Sequence, residues 1–202
     1  MPEAEANNAS RSRTFAMRLV ATLVAVAVVG VAAFMLTNPS ERPHAALIGG
    51  AFALEDGAGK TVSDQTLRGK PFLVYFGYTH CPDVCPTELA RISDILGKMG
   101  DKSIPALFIT VDPERDTPKV MQDYVSSFNP AMMGLSGSPQ AVEATEKTFR
   151  VYSRKGQKQP DGDYSMDHSS IVYLMNKNGA FVEAFNVEQS PDEAAKELEK
   201  YL

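Results

Sequence analysis

Apolar residues lie along this chain in one long run and several short ones, and the two kinds predict different things. The long run is Leu19 to Leu36 (LVATLVAVAVVGVAAFML), with no charge and Thr22 as its only polar side chain. A helix rises ~1.5 Å per residue, so a run of this length just spans a hydrocarbon layer ~30 Å thick. A transmembrane helix is predicted over 19–36. The short runs read as strands. Pro71 to Tyr78 (PFLVYFGY) and Ile104 to Val111 (IPALFITV) are apolar nearly throughout, as strands buried on both faces are. Ile171 to Met175 (IVYLM) is a third strand, turned back at Asn176–Gly179 onto Ala180 to Phe185. Met132 to Leu135 suits a short one, and Val151-Tyr152 begins an extended segment.

Between these runs the apolar period lengthens to that of a helix. Leu89, Ile92, Ile95 and Leu96 give Thr87 to Met99 a single apolar face, and Val120, Met121, Tyr124 and Val125 do the same for Pro118 to Phe128. Pro139 to Phe149 and Pro191 to Leu202 complete the helices, with Thr117 and Ser190 as N-caps. Phe52–Leu54 and Thr61-Val62 flank Asp56-Gly57 and Gly59, which predicts a small β-hairpin before the first buried strand. Strand–helix–strand followed by a hairpin and a helix is the thioredoxin order. The fold class is therefore α/β: thioredoxin-like, with an N-terminal β-hairpin extension and a single N-terminal transmembrane helix. The organisation is 1–18 short cytoplasmic N-terminus, 19–36 anchor, 37–47 spacer, and 48–202 folded domain.

Charge changes the picture at the N-terminus. Arg11, Arg13 and Arg18 against Glu3 and Glu5 leave the first 18 residues at +1, while the whole chain is −5, so the rest carries −6. Basic residues before the span place the N-terminus in the cytoplasm and everything after Leu36 outside. A cleaved signal peptide, with Val31 and Ala33 at the cleavage site, is the competing reading, and it exports the domain as well. An acidic domain lacks the clustered Lys and Arg that phosphate neutralisation needs, which excludes nucleic acid as partner.

The chemistry gathers around the two cysteines, in Thr79-His80-Cys81-Pro82-Asp83-Val84-Cys85-Pro86. They follow the first buried strand as a helix begins, where backbone amides and the helix dipole favour thiolate. The i, i+4 spacing allows both sulfurs on one side of the first turn. Such a pair can close a reversible disulfide or hold one soft metal ion. A purely stabilising disulfide is the bland alternative, but so short a loop gains the least from closure. Of the three histidines, His44 falls in the spacer and His80 abuts Cys81. His168 directly precedes the IVYLM strand, whose start faces the first strand–helix turn in a thioredoxin-like layout. A surface histidine on a polar loop is the competing reading. Two thiolates and an imidazole suit soft or borderline ions, copper above all.

Three motifs in order then resemble the Sco/SenC family of copper chaperones for cytochrome c oxidase assembly: Gly77-Tyr-Thr-His-Cys81-Pro-Asp-Val-Cys85-Pro-Thr, Thr110-Val-Asp112-Pro-Glu-Arg115-Asp116-Thr-Pro118, and Asp167-His168. The resemblance covers Ile48 to the C-terminus together with the anchor. It implies that Cys81, Cys85 and His168 bind copper, as Cu(I), Cu(II) or both, with the cysteines also a redox-active pair. The implied function is delivery of copper to the dinuclear centre of cytochrome c oxidase subunit II, the alternative being thiol–disulfide exchange that reduces the cysteines of that target. The implied setting is an inner membrane with the domain on the periplasmic side and a membrane-anchored thioredoxin-like reductant as second partner. Asp112, Arg115 and Asp116 suit a loop network as well as a supporting role behind the ligands. Met132, Met133 and Met166 suit packing better than copper transfer.

Overall fold

The structure, a computed structural model, describes residues 48–160 and 162–202. The segments 1–18, 19–36 and 37–47, including the expected span, lie outside the described residues, among which no helix is long and apolar enough to cross a membrane.

Five strands form the main sheet. The first to enter it, β3 (Phe72–Gly77), is buried at every residue and lies at the centre. It pairs in parallel with β4 (Ala106–Thr110), and β4 in parallel with β5 (Met132–Leu135). On its other side β3 pairs antiparallel with β8 (Val172–Met175), and β8 with β9 (Phe181–Ala184). Helix α1 (Val84–Met99) links β3 to β4, α2 (Pro118–Ser126) links β4 to β5, and α4 (Pro191–Glu199) closes the chain. This is the thioredoxin-like arrangement. Before it, β1 (Ala53–Glu55) and β2 (Thr61–Ser63) pair antiparallel around a loop in which Asp56 Oδ1 accepts the amides of Ala58 and Lys60.

The core is aromatic at its centre. Phe76 meets Phe149 and Tyr173 at centroid distances of 5.3 and 6.1 Å, the first of these partners coming from α3 (Pro139–Phe149). Each such buried ring removes enough apolar surface from water to contribute about 2–3 kcal/mol. Three helices open alike: Thr117, Ser138 and Ser190 cap α2, α3 and α4 through side-chain oxygens, each with proline at the first helical position. A cap of this kind stabilises by about 1 kcal/mol.

Two departures from the sequence expectation bear on the site. Helix α1 starts at Val84 rather than Thr87. Pro86 lies in the first turn, where a missing N–H costs nothing, so it does not delay the helix. The second is a separate two-stranded sheet, β6 (Ser153–Lys155) against β7 (Met166–His168), where only the start of an extended segment is expected. Its strands are polar and lack the alternation that marks a half-buried strand.

Candidate metal centre

The cysteine loop leaves the C-terminal end of β3 and is held from below. Asp116, fully buried, accepts from the Thr79 amide at 3.0 Å, the Thr79 hydroxyl at 2.5 Å and the Thr110 hydroxyl at 2.9 Å. The turn itself closes with the Cys81 amide donating to the Tyr78 carbonyl at 3.2 Å. At the start of α1 the capping residue Asp83 makes no side-chain cap bond. A sulfur takes that role: the Cys85 amide donates to Cys81 Sγ at 3.4 Å. Helix N-terminal amides are otherwise unpaired, so an electron-rich sulfur fits there. Below the loop, Gly77 makes room for the second cysteine. A Cβ at Gly77 would lie 2.8 Å from Cys85 Sγ and 2.7 Å from the Phe108 ring.

His168 ends β7, paired in register with Ser153. Its Nδ1 lies 3.0 Å from the Ser169 carbonyl oxygen. A carbonyl only accepts, so Nδ1 carries the proton and Nε2 presents a lone pair. That Nε2 is 3.7 Å from Cys85 Sγ. Donor atoms of Cys81, Cys85 and His168 all lie within 4.8 Å of one another, the one cluster of three metal-ligating side chains found among the described residues. An ion in a trigonal plane, with bonds of ~2.3 Å to sulfur and ~2.0 Å to nitrogen, separates the unlike donors by ~3.7 Å and the sulfurs by ~4.0 Å. The observed spacing fits such an ion with little rearrangement. Tyr78 packs edge-on against the imidazole at 5.8 Å and fixes its plane.

Both thiols are free, Cys81 half-buried and Cys85 buried. Burial pushes the Cys85 thiol up to about 12, helped by its contact with Cys81. The sequence expectation of a lowered thiol pKa at a helix start therefore fails at Cys85, because desolvation outweighs the helix-end amides. A bound cation reverses that balance by stabilising the thiolate directly.

The remaining candidates separate from the cluster. His80 is exposed and bonds the Thr79 hydroxyl at 3.1 Å through Nδ1, and His44 lies outside the described residues. Asp112 and Asp116 are both buried and belong to a hydrogen-bonded network rather than to the donor cluster. Asp112 Oδ1 accepts from the Tyr164 hydroxyl at 2.9 Å, and its Oδ2 pairs with Arg115 Nε. Met132 is part of the core and Met166 is partly buried against it. Sequence reasoning did not find Tyr78, Tyr164 or Gly77 as contributors. Gly77 and Tyr78 lie inside the cysteine motif but show their purpose only against Cys85 and His168, and Tyr164 carries no motif.

A family model described as SCO1/SenC matches residues 40–202. The chain belongs to the SCO1/SenC family. Within it, the chain is 39% identical over 170 residues to the mitochondrial SCO1 homolog 1 of Arabidopsis thaliana, covering 80% of this chain and 51% of that protein. The mitochondrial SCO1 homolog of Homo sapiens is 36% identical over 160 residues, which is 77% of this chain and 53% of that one. The chain thus spans about half the length of these SCO1/SenC relatives. Among solved structures it is similar to ScoI of Bradyrhizobium japonicum with copper bound. That match has a TM-score of 0.74 and 52% identity, and covers 77% of this chain and 99% of the other.

Proposed function

We propose that this protein binds copper through Cys81, Cys85 and His168 and hands it to the dinuclear copper centre of cytochrome c oxidase subunit II. The observation that carries the reading is the placement of an imidazole lone pair 3.7 Å from a buried sulfur, with the second sulfur in the same cluster. Copper is the cargo. Two thiolates suit Cu(I), and the imidazole extends the set to Cu(II). The copper-bound ScoI of Bradyrhizobium japonicum supports the choice of metal.

Each residue has its task. Cys81, partly exposed, meets the incoming ion. Cys85 gives up its proton as the ion binds and seals the inner side. His168 supplies nitrogen through Nε2 while Ser169 holds the ring by Nδ1. Three ligands leave the ion open to attack by a target's thiolates, so transfer proceeds by ligand exchange. The anchor over 19–36 holds the domain on the periplasmic side of an inner membrane. A membrane-anchored thioredoxin-like protein keeps the pair reduced, since a Cys81–Cys85 disulfide has no thiolate to offer.

One observation favours a second role. A half-exposed Cys81 beside a buried Cys85 is the asymmetry of an attacking and a resolving thiol. Cys81 thiolate attacks a target disulfide and Cys85 resolves the mixed disulfide. The target then holds two thiols and this protein one disulfide. Cu(II) titration of the reduced protein beside its His168→Ala variant tests the first reading. Loss of at least about tenfold in affinity is expected, ~1.4 kcal/mol for one lost ligand bond at minimum. Equal binding by both proteins sinks the three-ligand site. Absence of binding by either, with both reducing a subunit II disulfide, leaves thiol exchange as the function.

A further inference from the structure

The β6–β7 sheet that carries His168 is not hydrogen-bonded into the main sheet. Something else must hold the imidazole in place. Its contacts with the segment 112–116 are specific. Arg115 Nη1 pairs with Asp163 Oδ1 at 2.6 Å, in the loop that leads into β7. The Arg115 guanidinium lies 3.6 Å from the centroid of the Tyr164 ring, and the Tyr164 hydroxyl donates to buried Asp112 at 2.9 Å. Arg115 Nε holds the other oxygen of the same Asp112. Lys155 of β6 adds a pair to Glu114 at 2.7 Å, but both partners are well exposed, so water screens it. Arg115 is only 17% exposed and touches Asp112, Asp163 and the Tyr164 ring together. Its guanidinium also lies 5.8 Å from the ring of Tyr78, the ring set against His168.

The opposite end of the same short segment serves the cysteines. Asp116 holds Thr79, two residues before Cys81. One loop therefore fixes the sulfurs through Asp116 and the hairpin through Asp112 and Arg115. We propose that Arg115 is a positioning residue: with Tyr164 and Asp163 it clamps the β6–β7 hairpin and so keeps the His168 nitrogen within bonding reach of an ion held by the two sulfurs. The inference rests on the copper reading above. Without the clamp the thiolates remain where Asp116 puts them, while the imidazole samples positions out of reach. Cu(II), which depends on the nitrogen, then suffers more than Cu(I), which two thiolates can hold.

The test uses the reduced protein and three loss variants, Arg115→Met, Asp163→Asn and Tyr164→Phe, with Arg115→Lys as the conservative replacement. The two milder ones serve if Arg115→Met does not fold. Cu(I) affinity is measured by chelator competition, and Cu(II) affinity with nitrogen coupling in the electron paramagnetic resonance spectrum. Arg115→Met is expected to lose at least tenfold in Cu(II) affinity and to lose or weaken the nitrogen coupling, with Cu(I) affinity changed by less than threefold. Asp163→Asn and Tyr164→Phe fall between it and the parent, and Arg115→Lys recovers part of the loss. Variants that are merely less stable, with parental Cu(II) affinity and coupling, overturn the proposal. A metal-free readout separates it from the copper reading. Amide exchange at Ser169, bonded to the Tyr152 carbonyl, is expected to quicken at least tenfold in Arg115→Met, with Val74 in the central strand unchanged. Unchanged exchange at Ser169 refutes the clamp, whatever copper does. Faster exchange alongside a parent that shows no nitrogen coupling retains the clamp and removes the copper reading.

Discussion

Gly77 offers a sharp test of how the sheet supports the site. Replacing it with alanine puts a methyl carbon 2.7 and 3.0 Å from two atoms of the Phe108 ring and 2.8 Å from Cys85 Sγ. Ordinary carbon contacts sit at about 3.5–4.0 Å, so something must move by close to 1 Å. Phe108 is fully buried and stacked on Tyr75 at 5.7 Å, and cannot swing away freely. The sulfur therefore takes part of the displacement. Overpacking of this kind costs about 1–3 kcal/mol, a fall of several degrees in Tm for a domain of this size. Gly134→Ala is the control. Its methyl would meet backbone atoms of Met121 at 2.4 Å, on an edge strand away from the cysteines, so it should destabilise at least as much. Thermal unfolding and Cu(I) competition are measured on both. Gly77→Ala is expected to lose about tenfold or more in copper affinity, with Gly134→Ala close to the parent wherever it is folded. Equal copper affinity in the two variants refutes the claim that Gly77 seats the inner sulfur.

Other consequences follow from the same contacts. Asp116→Ala removes the acceptor of three hydrogen bonds and should cost about 3–5 kcal/mol in urea unfolding, since bonds to such a group are worth about 1.5–3 kcal/mol each and do not add fully. A loss under about 1 kcal/mol contradicts the network. Buried Glu146 has a carboxylate oxygen without a partner, and burial raises its pKa. Its raised folded pKa means that stability present at low pH is lost as pH climbs through that pKa, so Glu146→Gln should raise Tm at pH ~8 and leave it nearly unchanged at pH ~4. The Cys85 thiol stands at about 12 in the metal-free fold against ~8.5 unfolded. The metal-free protein should therefore lose stability from pH ~9 upward, and Cys85→Ala should lose less over the same range. At pH ~8 each copper bound should release at least one proton to an indicator dye, and binding should weaken on acidification.

Much of the fold is written locally. The continuous apolar runs at Phe72–Gly77 and Ala106–Thr110 are short enough to read as buried strands, and the Ser/Thr-Pro openings at Thr117, Ser138 and Ser190 read as helix starts. Cys81 and Cys85 are equally plain, because their spacing and place after a buried strand are both sequence features. His168 was within reach only through topology and family resemblance. The strand that carries it pairs across a loop, through residues with no apolar rhythm. Long-range pairs such as Arg115 with Asp163 and Tyr164 with Asp112 are harder still, being 48 and 52 residues apart. The rise of the Cys85 pKa was hidden for a different reason. A helix-start position pulls one way and burial the other, and only packing decides between them.

The central claim is that one copper ion is held by both sulfurs and the His168 nitrogen. X-ray absorption of the copper-loaded, reduced protein beside His168→Ala tests it most directly. Two sulfur neighbours and one imidazole nitrogen are expected in the parent, with the nitrogen contribution gone from the variant. Identical spectra from the two proteins, or a parent with sulfur neighbours alone, contradict it.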